Sequence, residues 1–173
     1  LSVLLGIGNG SFNSATNYLS GGAGSQPHCI IPVDTDGDSI MDIAVANTGT
    51  DNISVLIGNG DGTFGGYGCY ASCAYPLSIE AGDLNGDSRQ DLVAANFHSS
   101  NISILYGKED GTFAIDLTYG PYSPRALTTA DFNGDGNQDL AVANTWDTLS
   151  VLLGNGEGRS EERRVGKECV SEC

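Results

Sequence analysis

Short alternating runs of apolar and small residues recur along the chain, and no helical period accompanies them. Ile53, Val55 and Ile57 fall on one side of an extended run, with Ser54 and Leu56 on the other. Ile102, Ile104 and Tyr106 repeat this arrangement, as do Leu149, Val151 and Leu153. Both sides are apolar or small, which predicts strands buried on both faces. Asn59-Gly60-Asp61-Gly62 and Lys108-Glu109-Asp110-Gly111 follow two of these runs and read as turns, because Gly and Asn tolerate positive φ.

The runs belong to a repeat. Ser2-Val-Leu-Leu-Gly returns as Ser54-Val-Leu-Ile-Gly, Ser103-Ile-Leu-Tyr-Gly and Ser150-Val-Leu-Leu-Gly, at spacings of 52, 49 and 47 residues. An acidic segment recurs in phase: Asp34-Thr-Asp-Gly-Asp, Asp83-Leu-Asn-Gly-Asp and Asp131-Phe-Asn-Gly-Asp. Each leads into a small apolar strand closing on Asn47, Asn96 or Asn144, and a Pro stands seven residues ahead, at Pro27, Pro76 or Pro124. One unit therefore reads as a strand from the Pro, an acidic loop, an Ala/Val strand, a Ser-Val-Leu strand, a Gly turn and a last strand from Phe64 or Phe113. Four strands in ~48 residues is the size of one propeller blade. The expected fold is all-β: blades of four antiparallel strands in an incomplete propeller of about three to three and a half blades. The divisions expected are a truncated blade over 1–24, blades over 25–72 and 73–121, an incomplete blade over 122–158, and a tail over 159–173.

Loop positions 1, 3, 5 and 9 carry side-chain oxygens. These are Asp34, Asp36, Asp38 and Asp42; Asp83, Asn85, Asp87 and Asp91; and Asp131, Asn133, Asp135 and Asp139. Position 4 is Gly37, Gly86 or Gly134, which permits a sharp turn. Alternate residues in a tight loop aim several oxygens at one point, and position 7 (Ile40, Arg89 or Asn137) is placed to add a backbone carbonyl. An oxygen-only donor set suits a hard cation, and Ca2+ accepts six to eight oxygens in flexible geometry. Without a cation such a loop is costly, since two like charges ~4 Å apart repel by about 4 kcal/mol at an effective dielectric of 20. The bland alternative is three metal-free Asp-Gly surface turns; recurrence in register with the strands favours the metal. An EF-hand is disfavoured, because it needs Gly at position 6, Glu at position 12 and flanking helices. Position 12 here is Val45, Ala94 or Val142.

Composition sharpens the picture at two points. Lys+Arg total 7 against 22 Asp+Glu, a formal charge of −15. One Ca2+ in each of three loops brings that to −9. A chain this acidic repels phosphate, so no nucleic-acid partner is expected. No apolar run approaches the ~20 residues that span a bilayer, so this segment is not expected to insert in a membrane. No basic-then-apolar leader opens the chain, which begins as if inside a strand. The basic residues are unevenly placed: Arg159, Arg163, Arg164 and Lys167 lie in the last fifteen positions, leaving only Arg89, Lys108 and Arg125 before them.

The segments Asp131-Phe-Asn-Gly-Asp-Gly-Asn-Gln-Asp-Leu-Ala-Val-Ala-Asn and Ser54-Val-Leu-Ile-Gly-Asn-Gly-Asp-Gly-Thr-Phe resemble the FG-GAP/VCBS repeat family, the calcium-binding blades also seen in the integrin α-subunit propeller. The resemblance covers roughly residues 1–158. It implies a β-propeller with Ca2+ in the hairpin loop between the first two strands of a blade. It also implies an extracellular, secreted or cell-surface setting and a role in adhesion or in binding protein or carbohydrate. A closed ring of this family needs further blades, expected from the same parent chain. A propeller serving as accessory domain to a secreted, polysaccharide-acting enzyme is the alternative, its catalytic residues lying elsewhere. After Gly158 the repeat calls for Thr-Phe; instead comes Arg159-Ser-Glu-Glu-Arg-Arg-Val-Gly-Lys-Glu-Cys169, which resembles a translated sequencing adapter.

The remaining chemistry is sparse. Cys69 and Cys73 lie close enough for a local disulfide, with two free thiols as the alternative; Cys29 reads as a buried thiol. His28 and His98 occupy different repeat positions and do not suggest a catalytic pair, and no Gly-x-Ser-x-Gly elbow or Walker loop is present. No enzymatic activity is expected of the segment. Asn9, Asn52 and Asn101 begin glycosylation sequons, and Tyr67, Tyr70, Tyr119 and Tyr122 fall in inter-blade connections, where they either line a binding face or pack the turns.

Overall fold

The computed structural model describes residues 1–72, 74–117, 120, 123–145, 148–158 and 160–165, with Leu117 and 160–165 described by backbone alone. It opens with two short strands, β1 (Ser2–Val3) and β2 (Thr16–Asn17), paired antiparallel. Three four-stranded sheets follow. The first holds β3 (Pro27–Val33), β4 (Asp42–Asn47), β5 (Asn52–Gly58) and β6 (Phe64–Ala71). The second holds β7 (Pro76–Gly82), β8 (Asp91–Asn96), β9 (Asn101–Gly107) and β10 (Phe113–Leu117). The third holds β11 (Pro124–Ala130), β12 (Asp139–Asn144), β13 (Leu149–Gly154) and β14 (Ser160–Val165). Within each sheet the strands lie in chain order and pair antiparallel. The chain is all-β, and the array does not close: it is an incomplete β-propeller.

The expected strand starts at Pro27, Pro76, Pro124, Phe64 and Phe113 all appear. The third sheet departs from expectation. The incomplete blade read over 122–158 gains a fourth strand, because the backbone of Ser160–Val165 pairs with β13 from Gly154↔Ser160 to Leu149↔Val165. An unpaired β13 edge has N–H and C=O groups to satisfy, and any extended segment meets that need whatever its side chains.

Two apolar layers hold the sheets face to face. The first joins Val33, Ala44, Ala46, Ile53 and Val55 to Ile79, Leu92, Ala94, Leu105 and Phe113. The second joins Val93, Ala95, Ile102 and Ile104 to Leu127, Leu140, Val142 and Leu152. Strand β8 shows the period-2 logic directly: Leu92 and Ala94 face one neighbour, Val93 and Ala95 the other. The first strands of successive blades also touch. His28 Nδ1 lies 2.8 Å from the Leu77 carbonyl, and Thr129 Oγ1 donates to the Ala81 carbonyl at 3.1 Å.

A polar pair recurs inside each blade. Asn47, Asn96 and Asn144 donate through Nδ2 to Ser54, Ser103 and Ser150 at 2.7 to 2.8 Å. Asn47, Asn96, Ser54 and Ser103 are fully buried, so each pair satisfies groups that burial would otherwise penalise. Ser72, at the end of the first blade, also donates to Asn96 Oδ1 at 2.7 Å.

Candidate metal loops

Each acidic loop is the β-hairpin between the first two strands of its blade. The side chain at position 1 caps the turn. Asp34 accepts from the N–H of Gly37 at 2.8 Å and of Ser39 at 2.9 Å. Asp83 accepts from Gly86 and Ser88, and Asp131 from Gly134 and Gly136. Positions 3 and 5 then each accept from the N–H two residues on: Asp36 from Asp38, Asn85 from Asp87, Asn133 from Asp135, and Asp38, Asp87 and Asp135 from Ile40, Arg89 and Asn137. These Asx-type turns curl the backbone so that the alternate side chains share one concave side. Position 6 must be left-handed to complete the curl. Ser39 and Ser88 take it at φ 67°, and Gly136 takes it at φ 89°.

The structure splits the expected ligand sets into two groups. In the first loop, carboxylate oxygens of Asp34, Asp36 and Asp38 lie within 4.8 Å of one another, and Asp42 is not among them. Asp42 is buried and works as scaffold. Its Oδ2 accepts from the Thr35 N–H at 3.0 Å and from the Thr35 hydroxyl, and its Oδ1 accepts from the Gly58 N–H at 2.8 Å. Asp91 binds the N–H groups of Leu84 and Gly107 in the same way, and Asp139 those of Phe132 and Gly154. Position 9 thus ties its loop to the end of the third strand. Burial pushes the Asp91 carboxyl up to about 6, against the pull of the Gly107 and Leu84 N–H groups, while the charges of Asp87 and Asp83 add to the rise.

The loops are not equivalent. In the second, the Arg89 guanidinium donates to Asp87 Oδ2 at 2.6 Å, the one ion pair among the described residues. Asn85 Nδ2 donates to that same oxygen at 2.9 Å. Desolvation would raise the Asp87 carboxyl, but the Arg89 N–H, Asn85 and the Arg89 charge outweigh it and hold it below the usual range. In the third loop Asn133 Nδ2 donates to Asp135 at 2.8 Å, and the Gly136 N–H leads a set of backbone donors that lowers the Asp131 carboxyl. The position-7 residues Ile40, Arg89 and Asn137 are placed here through their N–H groups.

One contributor escaped the sequence reading. Gly58, Gly107 and Gly154 close the Ser-Val-Leu strands and donate to the position-9 carboxylates. A Cβ there would fall 2.4, 2.4 and 2.1 Å from the carbonyls of Met41, Gln90 and Gln138. Only Gly lets the strand approach that closely. The signal was present as a Gly at the end of every copy, but its partner lies 15 or 16 residues away.

The other candidates are dispersed. Cys69 is an exposed free thiol, Cys29 is a partly buried one, and Cys73 lies outside the described residues, as do Cys169, Cys173, Tyr119 and Tyr122. Tyr70 packs edge-on against Phe113 at 5.2 Å, while Tyr67 is exposed. His98 stacks on Tyr75 at 4.3 Å, and His28 is engaged with the Leu77 carbonyl. No helix among the described residues is long and apolar enough to cross a membrane.

This blade architecture with an acidic hairpin in each unit defines a class, the β-propeller repeat module. The FG-GAP-like repeat matches residues 34–94 and 83–142, more than half of the chain, and the chain belongs to that family. No curated protein matches it. Among solved structures it is similar to an Agrocybe aegerita lectin that recognises non-reducing terminal N-acetylglucosamine, with a TM-score of 0.67 and 21% identity. That match covers 97% of this chain and 47% of the lectin, so the chain spans about half the lectin's length and shares its fold. A Photorhabdus luminescens Tc holotoxin pore is a more distant neighbour, with a TM-score of 0.47 and 17% identity over 84% of this chain and 7% of that one.

Proposed function

We propose that the chain is a Ca2+-stabilised, non-catalytic propeller module that binds carbohydrate or protein in an extracellular, secreted or cell-surface setting. The observation that carries this reading is the convergence of Asp34, Asp36 and Asp38 within 4.8 Å, in a hairpin that recurs in register in the next two blades. The donors fit a hard cation. They are all oxygen, and each carboxylate keeps at least one lone pair beyond the loop bonds it accepts. One Ca2+ per loop, three in all, would neutralise like charges that the hairpin forces together. Asp34, Asp36 and Asp38 would hold the first; Asp83, Asn85 and Asp87 the second; Asp131, Asn133 and Asp135 the third. Asp42, Asp91 and Asp139 brace the loops from below, each retaining lone pairs that can join the set.

Binding, rather than chemistry, is the role that a rigid stack of repeated blades supports best, and the lectin's fold is consistent with carbohydrate as ligand. The test is to follow thermal unfolding of the chain while titrating Ca2+ after chelation. A melting temperature that climbs with Ca2+ and saturates is expected, because a ligand of the native state alone stabilises it by mass action. A flat response removes the metal from the reading. A glycan array probed with Ca2+-loaded protein tests the carbohydrate part separately.

A further inference from the structure

Two of the three basic residues that precede the tail meet in one place. A cleft of about 350 Å3 opens between the acidic loop of the first blade and the second blade, lined among others by Asp34, Asp36, Met41, Arg89, Lys108 and Glu109. Its volume lies within the ~300–1,000 Å3 of small-molecule sites. The repeat does not require either cation. Lys108 stands where the other blades carry Asn59 and Asn155, and Arg89 where they carry Ile40 and Asn137. Those blades fold with the same hairpins and turns, so the cations are additions to this cleft. The Lys108 side chain makes no hydrogen bond or ion pair among the described residues. The Arg89 fork uses Nη2 on Asp87 and Nε on the Gly107 carbonyl.

We infer that this inter-blade cleft binds an acidic saccharide, with the carboxylate of a uronate residue received by Lys108 and Arg89. The inference rests on the carbohydrate part of the function proposed above. With Asp34 and Asp36 committed to the cation, Glu109 beside two basic side chains suits a ligand that carries one acidic group among hydroxyl donors. The Met41 side chain is 58% exposed beside them and offers the apolar patch that a sugar ring's C–H face needs. Arg89 and Lys108 place two of the seven basic residues of a chain of charge −15 at this one cleft.

The experiment is calorimetric titration of the Ca2+-loaded chain with three probes: trigalacturonate, its methyl ester, and neutral chitotriose. Trigalacturonate should bind, and esterification should abolish binding. Lys108→Asn and Arg89→Asn install residues that this repeat already uses at those positions, so folding is preserved. Each should weaken trigalacturonate binding by about five-fold, the scale of one partly exposed charge contact. Equal binding of acid and ester, or undiminished binding by both variants, overturns the assignment. If chitotriose binds and trigalacturonate does not, the cleft assignment falls and the carbohydrate reading stands. If no saccharide binds, both fall.

Discussion

At the residue scale, the acidic loops separate two kinds of aspartate that a spacing rule treats alike. Asp36 is exposed and faces other carboxylates, whereas Asp42 is buried and holds three donors. Asp42→Ala should therefore destabilise the chain by about 2–4 kcal/mol with or without metal, since it strands buried N–H groups. Asp36→Ala should leave metal-free stability unchanged or raised and should remove one Ca2+ equivalent. Chemical denaturation with chelator and with Ca2+ distinguishes the two; equal losses in both states would show that both residues are scaffold. Charge also ranks the loops. The first, with three convergent carboxylates, should bind Ca2+ most tightly, and the second least, because Arg89 occupies Asp87. Arg89→Asn should raise the affinity of the second loop in calorimetry on variants that retain that loop alone. An unchanged affinity would remove the guanidinium as competitor.

Among elements, the hairpins do more than carry ligands: they touch the next blade. A Cβ on Gly111, in the β9–β10 turn, would lie 2.9 Å from Asp36 Cβ, and Gly111 has φ 72°. Gly111→Ala should cost about 1–2 kcal/mol for the left-handed backbone and should also weaken Ca2+ binding in the first loop. Gly134→Ala shares the backbone cost but has nothing within 4 Å, so it shifts no neighbouring blade. Comparing Tm and Ca2+ affinity of the two variants tests this coupling between blades. Strand β7 offers a pH-dependent check away from the loops. Burial raises the carboxyl of Glu80, which is partly buried there. A raised folded-state value means that the native chain binds its proton more readily than the unfolded chain, so ionised Glu80 opposes folding at neutral pH. Glu80→Gln should raise Tm at pH 7, and the gain should vanish as pH falls below the ordinary Glu value near 4.5.

Across the whole molecule, the stack is unclosed and its faces show it. Ile53 and Ile102 are fully buried between blades, while Leu149, their counterpart in the third blade, is 48% exposed. Phe132 is likewise exposed where Leu84 is buried, and Leu4, Ile7, Phe12 and Leu19 are exposed in the N-terminal segment. Exposed large apolar side chains such as these favour association. The chain should bind a hydrophobic dye and show concentration-dependent sedimentation. Phe132→Asp with Leu149→Asp should reduce both without lowering Tm. A monodisperse, dye-silent wild type would contradict the exposed face.

Strand starts, strand order within a blade and hairpin position were legible in the residues because each depends on local rules: period-2 alternation, a Pro at the strand start, Gly and Asx at turns. The three acidic loops were legible for the same reason, since their turns are closed by bonds two to five residues apart. What only the tertiary structure decided involves partners distant along the chain. It assigned Asp42, Asp91 and Asp139 to the glycines that close β5, β9 and β13, and gave Ser160–Val165 a place on an open edge. It also brought Arg89 and Lys108 against the loop of the preceding blade. Those contacts follow from how twisted sheets stack face to face, and no local pattern of residues encodes that packing.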